Sequence, residues 1–247
     1  FKLYRSLTSE LGVDEKNIKI FFSGSRGYHV HVYDRNFQSL NSGERREIID
    51  YLMVNTEKIL NGNRFHNSLK AIQVSKILAR RIKNLIKEKK LKEVLEKHGV
   101  DIERTYSILV SKDNLRKLEI GDLSFLPKSR GVKNLILELI ERISKNIRIY
   151  IDAPVTADIK RLIRMPHSLH GKTGLRVTKV EIDELKDFNP FYNAVVFEDE
   201  KVKIRGMKRA KIEIMGEEFS IKAGEKLSIP EYAAIFFLCR GVAVYGH

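Results

Sequence analysis

The spacing of apolar residues predicts helices and strands that alternate along the chain. Leucines at helical intervals in residues 1–11 predict a helix that ends at Gly12. Ile18–Phe22 and residues 28–33 have the pattern of strands, joined by a glycine-rich turn at 23–27. A longer helix is predicted for residues 42–60, with Ser42 as its N-cap.

The middle of the chain combines helical spacing with a high density of lysine and arginine. Strand signals are scarce between residues 63 and 125, and basic residues crowd the segment 70–97. We predict a basic helical insertion, 63–125, within a domain formed by 1–62 and 126–247. The basic helix face could bind a nucleic-acid backbone or could simply face solvent, and both interpretations stay open.

In the last part of the chain the pattern predicts helices at 132–144 and 155–164, with a strand at 147–151 between them. Short strands follow up to residue 221, and Pro230 then opens a helix that runs to about Leu238. Strands interspersed with helices in this way predict a mixed α/β (α+β) fold.

Composition narrows the class of protein. The 46 lysines and arginines exceed the 32 acidic residues by 14, which favours polyanionic partners. No apolar run approaches the roughly 18 residues that a membrane span needs, and no secretory signal is visible, so we expect no membrane partner and a cytoplasmic location. The single cysteine, Cys239, excludes a disulfide within the chain and a cysteine-based zinc site.

The first segment with candidate chemistry is FFSGSRGYHVHV, residues 21–32. Its glycines permit a tight turn, and the guanidinium of Arg26 suits phosphate oxygens. Ser23 offers a hydroxyl, and strand alternation places His29 and His31 on one face. An ordinary glycine-rich hairpin with a surface arginine is the alternative.

The second segment is IDAPVTADIKRLIRMPHSLHGKTGLRV, residues 151–177. Asp152 follows the predicted strand and precedes a loop rich in phosphate-binding side chains, a placement that suits a divalent-metal ligand. A turn or N-cap aspartate is the alternative. Pro166 occupies a position where a P-loop requires glycine, which excludes that motif.

Together the two segments resemble the catalytic (small) subunit of the archaeal and eukaryotic type of DNA primase, in its archaeal form. SGSRGYHVHV is similar to that family's Ser-Gly-x-Arg-Gly-x-His motif. The second segment is similar to its Asp…Arg-x-Pro-x-Ser-x-His-x-Lys-Thr-Gly motif. The resemblance implies a primase-type catalytic fold, with a mixed central sheet flanked by helices and the helical insertion.

The resemblance also implies an activity: template-directed synthesis of short RNA primers during DNA replication, by two-metal nucleotidyl transfer with Mg²⁺ or Mn²⁺. Asp152 would be the third metal-binding carboxylate. The implied contacts to the incoming nucleotide come from Ser23, Arg26, His29, Arg164, His170 and, more weakly, Lys172. The implied partners are the primase large subunit, a single-stranded DNA template and nucleoside triphosphates, in association with the nucleoid.

The family's Asp-x-Asp pair and its usual Cys/His site for a structural Zn²⁺, both upstream of the first motif, are not in this sequence. Because the chain starts at Phe1 inside a helical pattern, we expect it to be the C-terminal portion of a longer protein, and we expect that a chain complete at Phe1 could not polymerise unaided. Two alternatives stay open: a repair primase-polymerase of the same superfamily, and a non-catalytic, basic nucleic-acid-binding module.

Overall fold

The structure is a computed structural model that describes residues 1–54, 60–61, 64–65 and 69–246. The chain forms two compact units. One consists of Phe1–Leu40 with Lys160–His247, and the other of Asn41–Ile159. The mixed α/β class predicted from the sequence is confirmed.

The helices of the described residues are, in chain order, α1 (Lys2–Arg5), α2 (Arg35–Gln38), α3 (Ser42–Met53), α4 (Leu69–Lys87), α5 (Leu91–Glu96), α6 (Ile102–Val110), α7 (Lys112–Glu119), α8 (Arg130–Ile147), α9 (Ala153–Ala157), α10 (Pro190–Asn193) and α11 (Glu231–Cys239). The strands are β1 (Ile18–Phe22), β2 (Tyr28–Val32), β3 (Leu60–Asn61), β4 (Arg64–Phe65), β5 (Thr178–Val180), β6 (Lys201–Gly206), β7 (Ala210–Ile214), β8 (Glu217–Ile221), β9 (Lys226–Pro230) and β10 (Ala243–Tyr245).

The first unit contains a three-stranded sheet in the order β2-β1-β5, and both of its strand pairs are antiparallel. The central strand β1 is the most buried because it has a neighbour on each side. Phe22 at its end packs against Leu175, Val180 and Ala194 in a small apolar cluster. This cluster anchors the segment that follows β1, where the first motif lies.

A second sheet in the same unit has the order β10-β6-β9, with the hairpin β7-β8 beside it. Helix α11 is apolar on nearly all sides, and it packs against the buried faces of these strands through residues such as Phe236 and Phe237. Every strand pair in the described parts of the chain is antiparallel, so the sheets of this mixed α/β fold are small and antiparallel.

The second unit is largely helical. Apolar residues of α4, among them Leu78 and Ile82, share one core with Leu135 and Ile140 of α8. The insertion predicted for 63–125 lies inside this unit, which extends further at both ends because Val54 and residues of α8 belong to the same core. Lys70, counted above with the basic segment, is buried with its Nζ 4.7 Å from the centre of the Tyr51 ring.

Two predicted helices differ from the structure. The helix predicted for 42–60 corresponds to α3, which begins after Asn41 and ends at Met53. The side chain of Asn41 caps it by accepting hydrogen bonds from the N–H groups of Gly43 and Glu44. Residues 55–59 lie outside the described part. The helix predicted for 155–164 is wrong, because α9 stops at Ala157 and Leu162 is 96% exposed. The apolar side chains of this segment have no surface to pack against, so their helical spacing does not stabilise a helix.

The strand predicted for 147–151 is also wrong. Helix α8 continues to Ile147, and the chain then runs extended outside any sheet, with the N–H of Ile149 donating to the carbonyl of Leu52 at 3.0 Å. Among the residues that the structure describes, no helix combines the length and apolarity of a membrane-crossing segment.

Candidate functional site

The turn between β1 and β2 is held by two hydrogen bonds of Ser23. Its N–H donates to the carbonyl of Gly27 at 3.1 Å, and its hydroxyl donates to the carbonyl of Arg26 at 2.9 Å. Gly24 and Gly27 both have positive φ, +83° and +79°, which explains why glycine occupies these positions. The hydroxyl proton of Ser23 is therefore engaged within the turn.

The tip of this turn presents hydrogen-bond donors to solvent. The Arg26 side chain is exposed, and the N–H groups of Ser25, Arg26 and Gly27 have no acceptor within the part of the chain that the structure describes. Successive unpaired N–H groups in a turn form a concave surface that attracts anions. This geometry suits phosphate oxygens.

The shared face of His29 and His31 predicted from strand alternation is confirmed. The two rings stack with centroids 6.3 Å apart, and His31 also contacts Phe21 at 4.8 Å. Burial lowers the pKa of His31, and the neighbouring charge of His29 adds to this shift. His31 is therefore neutral near pH 7, and its ring packs between those of His29 and Phe21.

The second motif forms a tight hairpin-like turn. The N–H of His167 donates to the carbonyl of Val177 at 2.9 Å, and the N–H of His170 donates to that of Leu175, also at 2.9 Å. At the tip, the carbonyl of His170 accepts from the N–H groups of Thr173 and Gly174. The segment predicted as a loop is thus internally hydrogen-bonded.

The two motifs lie in direct contact. A β-carbon at position 24 would lie 2.6 Å from the β-carbon of His170, so only glycine fits there. The buried hydroxyl of Thr173 donates to the carbonyl of Gly24 and accepts from the N–H of Leu175 at 3.2 Å. On its other side, a β-carbon at Gly174 would be 2.5 Å from Ile235 of α11. The second motif is therefore fixed between the β1–β2 turn and α11.

His170 is surrounded by positive charge. Burial lowers its pKa, and the charges of Arg164 and Lys172 lower it further. Its Nδ1 accepts the N–H of Lys172 at 3.2 Å, so in the neutral ring the proton lies on Nε2, which can donate to a ligand. Arg164 and Lys172 are exposed and have no acidic partner among the described residues. A cationic surface with an imidazole donor is suited to a polyphosphate.

Asp152 belongs to the other compact unit. It occupies the N-cap position of α9, but its exposed carboxylate makes no capping hydrogen bond. Its main-chain oxygen accepts from the N–H and hydroxyl of Thr156. The carboxylate is thus available to a ligand, at a helix start rather than at a strand end.

The residues that the structure describes do not assemble a complete metal site. No group of three or more His, Cys, Asp or Glu side chains able to hold one ion occurs in residues 1–54, 60–61, 64–65 and 69–246. Divalent cations of this class take several oxygen ligands. The chemistry of Asp152 fits one such ligand, and the described residues do not supply the rest.

Comparison with known proteins decides the family. The sequence profile of the family described as DNA primase small subunit matches residues 2–182, a range that contains both motifs. The chain belongs to the DNA primase small subunit family. The resemblance inferred from the two motifs is confirmed.

Individual relatives agree with this membership. The chain is 41% identical over 244 residues to the DNA primase small subunit of Archaeoglobus fulgidus, 35% identical over 278 residues to that of Methanothrix thermoacetophila and 37% identical over 270 residues to that of Methanococcoides burtonii. Each match covers 99% of this chain. The chain spans 63%, 69% and 68% of the length of these relatives, respectively.

Sequence reasoning missed two residues that join the primase motifs. Gly24 was interpreted only as a residue that permits a tight turn, and Thr173 only as one of several polar residues in a loop. The positive φ of Gly24 and the 4% exposure of Thr173 reveal their role in packing one motif on the other. No local pattern in the sequence signals this role, because it depends on a contact between segments 149 positions apart.

Proposed function

We propose that this chain carries the nucleotide-binding surface of a primase catalytic subunit, which joins ribonucleotides on a single-stranded DNA template during DNA replication. The observation that supports it best is the contact between Gly24 and the Thr173–His170 turn, which combines two phosphate-binding motifs in one surface. Family membership gives the reaction class.

In this proposal the triphosphate of the incoming nucleotide lies against the combined surface. Arg26 and the N–H groups beside it bind phosphate oxygens from the β1–β2 turn. Arg164 and Lys172 contribute charge from the second motif, and His170 donates from Nε2. His29 extends the surface along β2, while Ser23 acts mainly by holding the turn.

We also propose that Mg²⁺ or Mn²⁺ binds with Asp152 as one of several ligands. Such ions activate an attacking hydroxyl and stabilise the leaving pyrophosphate in this class of reaction. The role of the chain's own residues is to hold the triphosphate and neutralise its charge. The family name, small subunit, supports a second proposal, that the chain works in a heterodimer with a large subunit.

A two-part assay tests the proposal. Binding of a fluorescent nucleoside triphosphate and incorporation of labelled nucleotides on a single-stranded template are measured for the wild-type protein and for Asp152→Asn, in the longest form of the protein in which the wild type is active. We expect Asp152→Asn to abolish incorporation and to leave the melting temperature unchanged. His170→Ala should mainly weaken triphosphate binding.

Asp199→Asn is the matched control, because Asp199 is an exposed carboxylate that lies outside both motifs. It should leave both readouts unchanged. Equal incorporation by wild type and Asp152→Asn would contradict the metal-ligand assignment. Tight nucleic-acid binding without triphosphate binding would favour a non-catalytic module, and extension of primers without initiation would favour a repair primase-polymerase.

A further inference from the structure

One face of the β10-β6-β9 sheet is strongly basic. The opposite face is apolar and packs against α11 through buried residues such as Ile204 and Ile229. Strand alternation places the basic side chains on the other side, where they are exposed. This surface, called here the cationic sheet face, consists of Lys201, Lys203, Arg205 and Lys226.

The basic residues of this face are not neutralised by neighbouring carboxylates. None of the four makes an ion pair or a side-chain hydrogen bond with another residue in the described ranges. The nearest acidic residues in sequence are Glu200 and Glu225, which flank β6 and β9. The Glu225 carboxylate accepts the N–H of Lys222 at 2.7 Å. The face therefore keeps its positive charge.

The strand register brings like charges together. Arg205 of β6 lies directly opposite Lys226 of β9, and Lys203 lies opposite Ser228. Like charges directly opposite each other on one face destabilise a sheet. A sequence that favoured stability alone would place an acidic or neutral residue at one of these positions. The pairing therefore indicates a binding role.

The spacing of the basic residues also matters. Residues at i and i+2 on a strand lie about 6.7 Å apart. Lys201, Lys203 and Arg205 thus form a straight row with intervals similar to the distance between neighbouring phosphates of an extended single strand. A row on an open sheet face can contact successive phosphates of such a strand without a deep groove.

We propose that the cationic sheet face binds the phosphate backbone of single-stranded nucleic acid. This deepens the proposed function, because it names a nucleic-acid contact on β6 and β9. These strands lie outside the residues that the family profile matches. The proposal rests on the positive charge of the face and on the row formed by Lys201, Lys203 and Arg205.

The test measures binding of a fluorescent oligothymidylate of about 20 nucleotides by anisotropy, as a function of salt concentration and without triphosphate or metal. In the test variant, Lys201, Lys203 and Arg205 are each replaced by glutamine. Each phosphate contact to a single strand contributes about 0.7 to the slope of log affinity against log salt, so we expect the slope to fall by about 2 and low-salt affinity to fall about tenfold or more.

The matched control replaces three exposed lysines of the helical unit, Lys112, Lys117 and Lys133, by glutamine. It removes the same total charge, and we expect its slope to stay within about 0.7 of the wild-type value. Equal losses in the control and the test variant would overturn the proposal, since binding would then follow net charge alone. So would an unchanged slope in the test variant.

Two further probes distinguish a single strand from other ligands of the cationic sheet face. A duplex of the same length that binds the face as tightly as the single strand would contradict the single-strand assignment. Loss of binding to phosphatidylserine vesicles without loss of oligonucleotide binding would identify a lipid surface instead. Because no triphosphate is present, failure of the nucleotide-binding proposal would leave these outcomes unaffected.

Lys226→Gln separates binding from folding. It removes one of the two opposed like charges, so the melting temperature should be unchanged or higher while oligonucleotide affinity falls. A merely structural role of Lys226 would instead lower the melting temperature. Lower stability with unchanged affinity would contradict the proposal.

Discussion

The backbone of Gly24 lies directly against the side chain of His170, with room for a hydrogen atom and not for a methyl group: a β-carbon at position 24 would lie 2.6 Å from that of His170. The two residues come from segments far apart in the sequence. Their contact sets the distance between the donors of the β1–β2 turn and the imidazole of the second motif.

Gly24→Ala should therefore separate the two motifs. A side chain at positive φ costs about 1–2 kcal/mol, and overpacking adds roughly 1–3 kcal/mol. We expect a lower free energy of unfolding in urea and triphosphate affinity reduced about tenfold or more. Gly27→Ala is the control, because Gly27 has a similar φ of +79° with no atom near its missing β-carbon. Equal effects of the two variants would contradict the role of the contact.

Thr173→Val should weaken the same contact without adding bulk. The change removes the hydroxyl that donates to the carbonyl of Gly24 and accepts from the N–H of Leu175. Leaving buried polar groups unpaired costs about 1–3 kcal/mol each. We expect reduced thermal stability and weaker triphosphate binding, measured by calorimetry and titration. Thr173→Ser keeps the hydroxyl and should retain most of the binding.

Local patterns predicted the first motif well. The β1–β2 hairpin follows from alternation and from glycines at positions that need positive φ, and the common face of His29 and His31 follows from strand geometry. These features depend on residues close in sequence. The bond between Thr173 and Gly24 joins residues 149 positions apart, and no periodicity contains that information.

The failed predictions share a physical cause. Ile159 and Leu162 have the spacing of a helix, yet both are exposed because nothing packs against them. Periodicity records which residues could share a face but not whether a partner surface exists. The placement of Asp152 at a strand end failed in the same way, since the apolar run before it pairs with no strand of the described residues.

The pKa of His170 predicts a pH-dependent triphosphate affinity. Burial and the charges of Arg164 and Lys172 hold it below the ordinary value of 6.5, so the ring is neutral at pH 7. As the pH falls through this lowered pKa, the ring gains a charge that attracts phosphate. We expect the triphosphate affinity of the wild type, relative to that of His170→Gln, to rise as the pH falls from about 7.5 to about 5.5.

The ratio of the two affinities is the quantity to follow, because protonation of the triphosphate itself affects wild type and variant alike. Isothermal titration at several pH values gives both constants. A ratio that stays constant while the ring of His170 gains its proton would show that His170 does not approach the bound phosphate.

His98 of the helical unit predicts a pH-dependent stability. Its Nδ1 lies 2.9 Å from the carbonyl of Val94 and its Nε2 lies 2.8 Å from the carboxylate of Glu138, so both nitrogens face acceptors and the doubly protonated ring fits best. The hydrogen bond to Val94 and then that to Glu138 raise the pKa above 6.5. The contribution of protonated His98 to the stability of the folded protein is therefore fully present below pH 6.5 and is lost as the pH rises through the raised pKa.

Melting temperatures of wild type and His98→Asn across about pH 5.5 to 8.5 test this coupling. The difference between the two proteins should be largest at acidic pH and shrink as the pH rises. Glu138→Gln removes the charge that faces Nε2 but leaves the bond to Val94, so it should lower the pKa of His98 only in part and move the loss of stability to a lower pH. An identical pH dependence in all three proteins would mean that His98 stays neutral when folded, with one nitrogen unable to donate to its neighbouring oxygen.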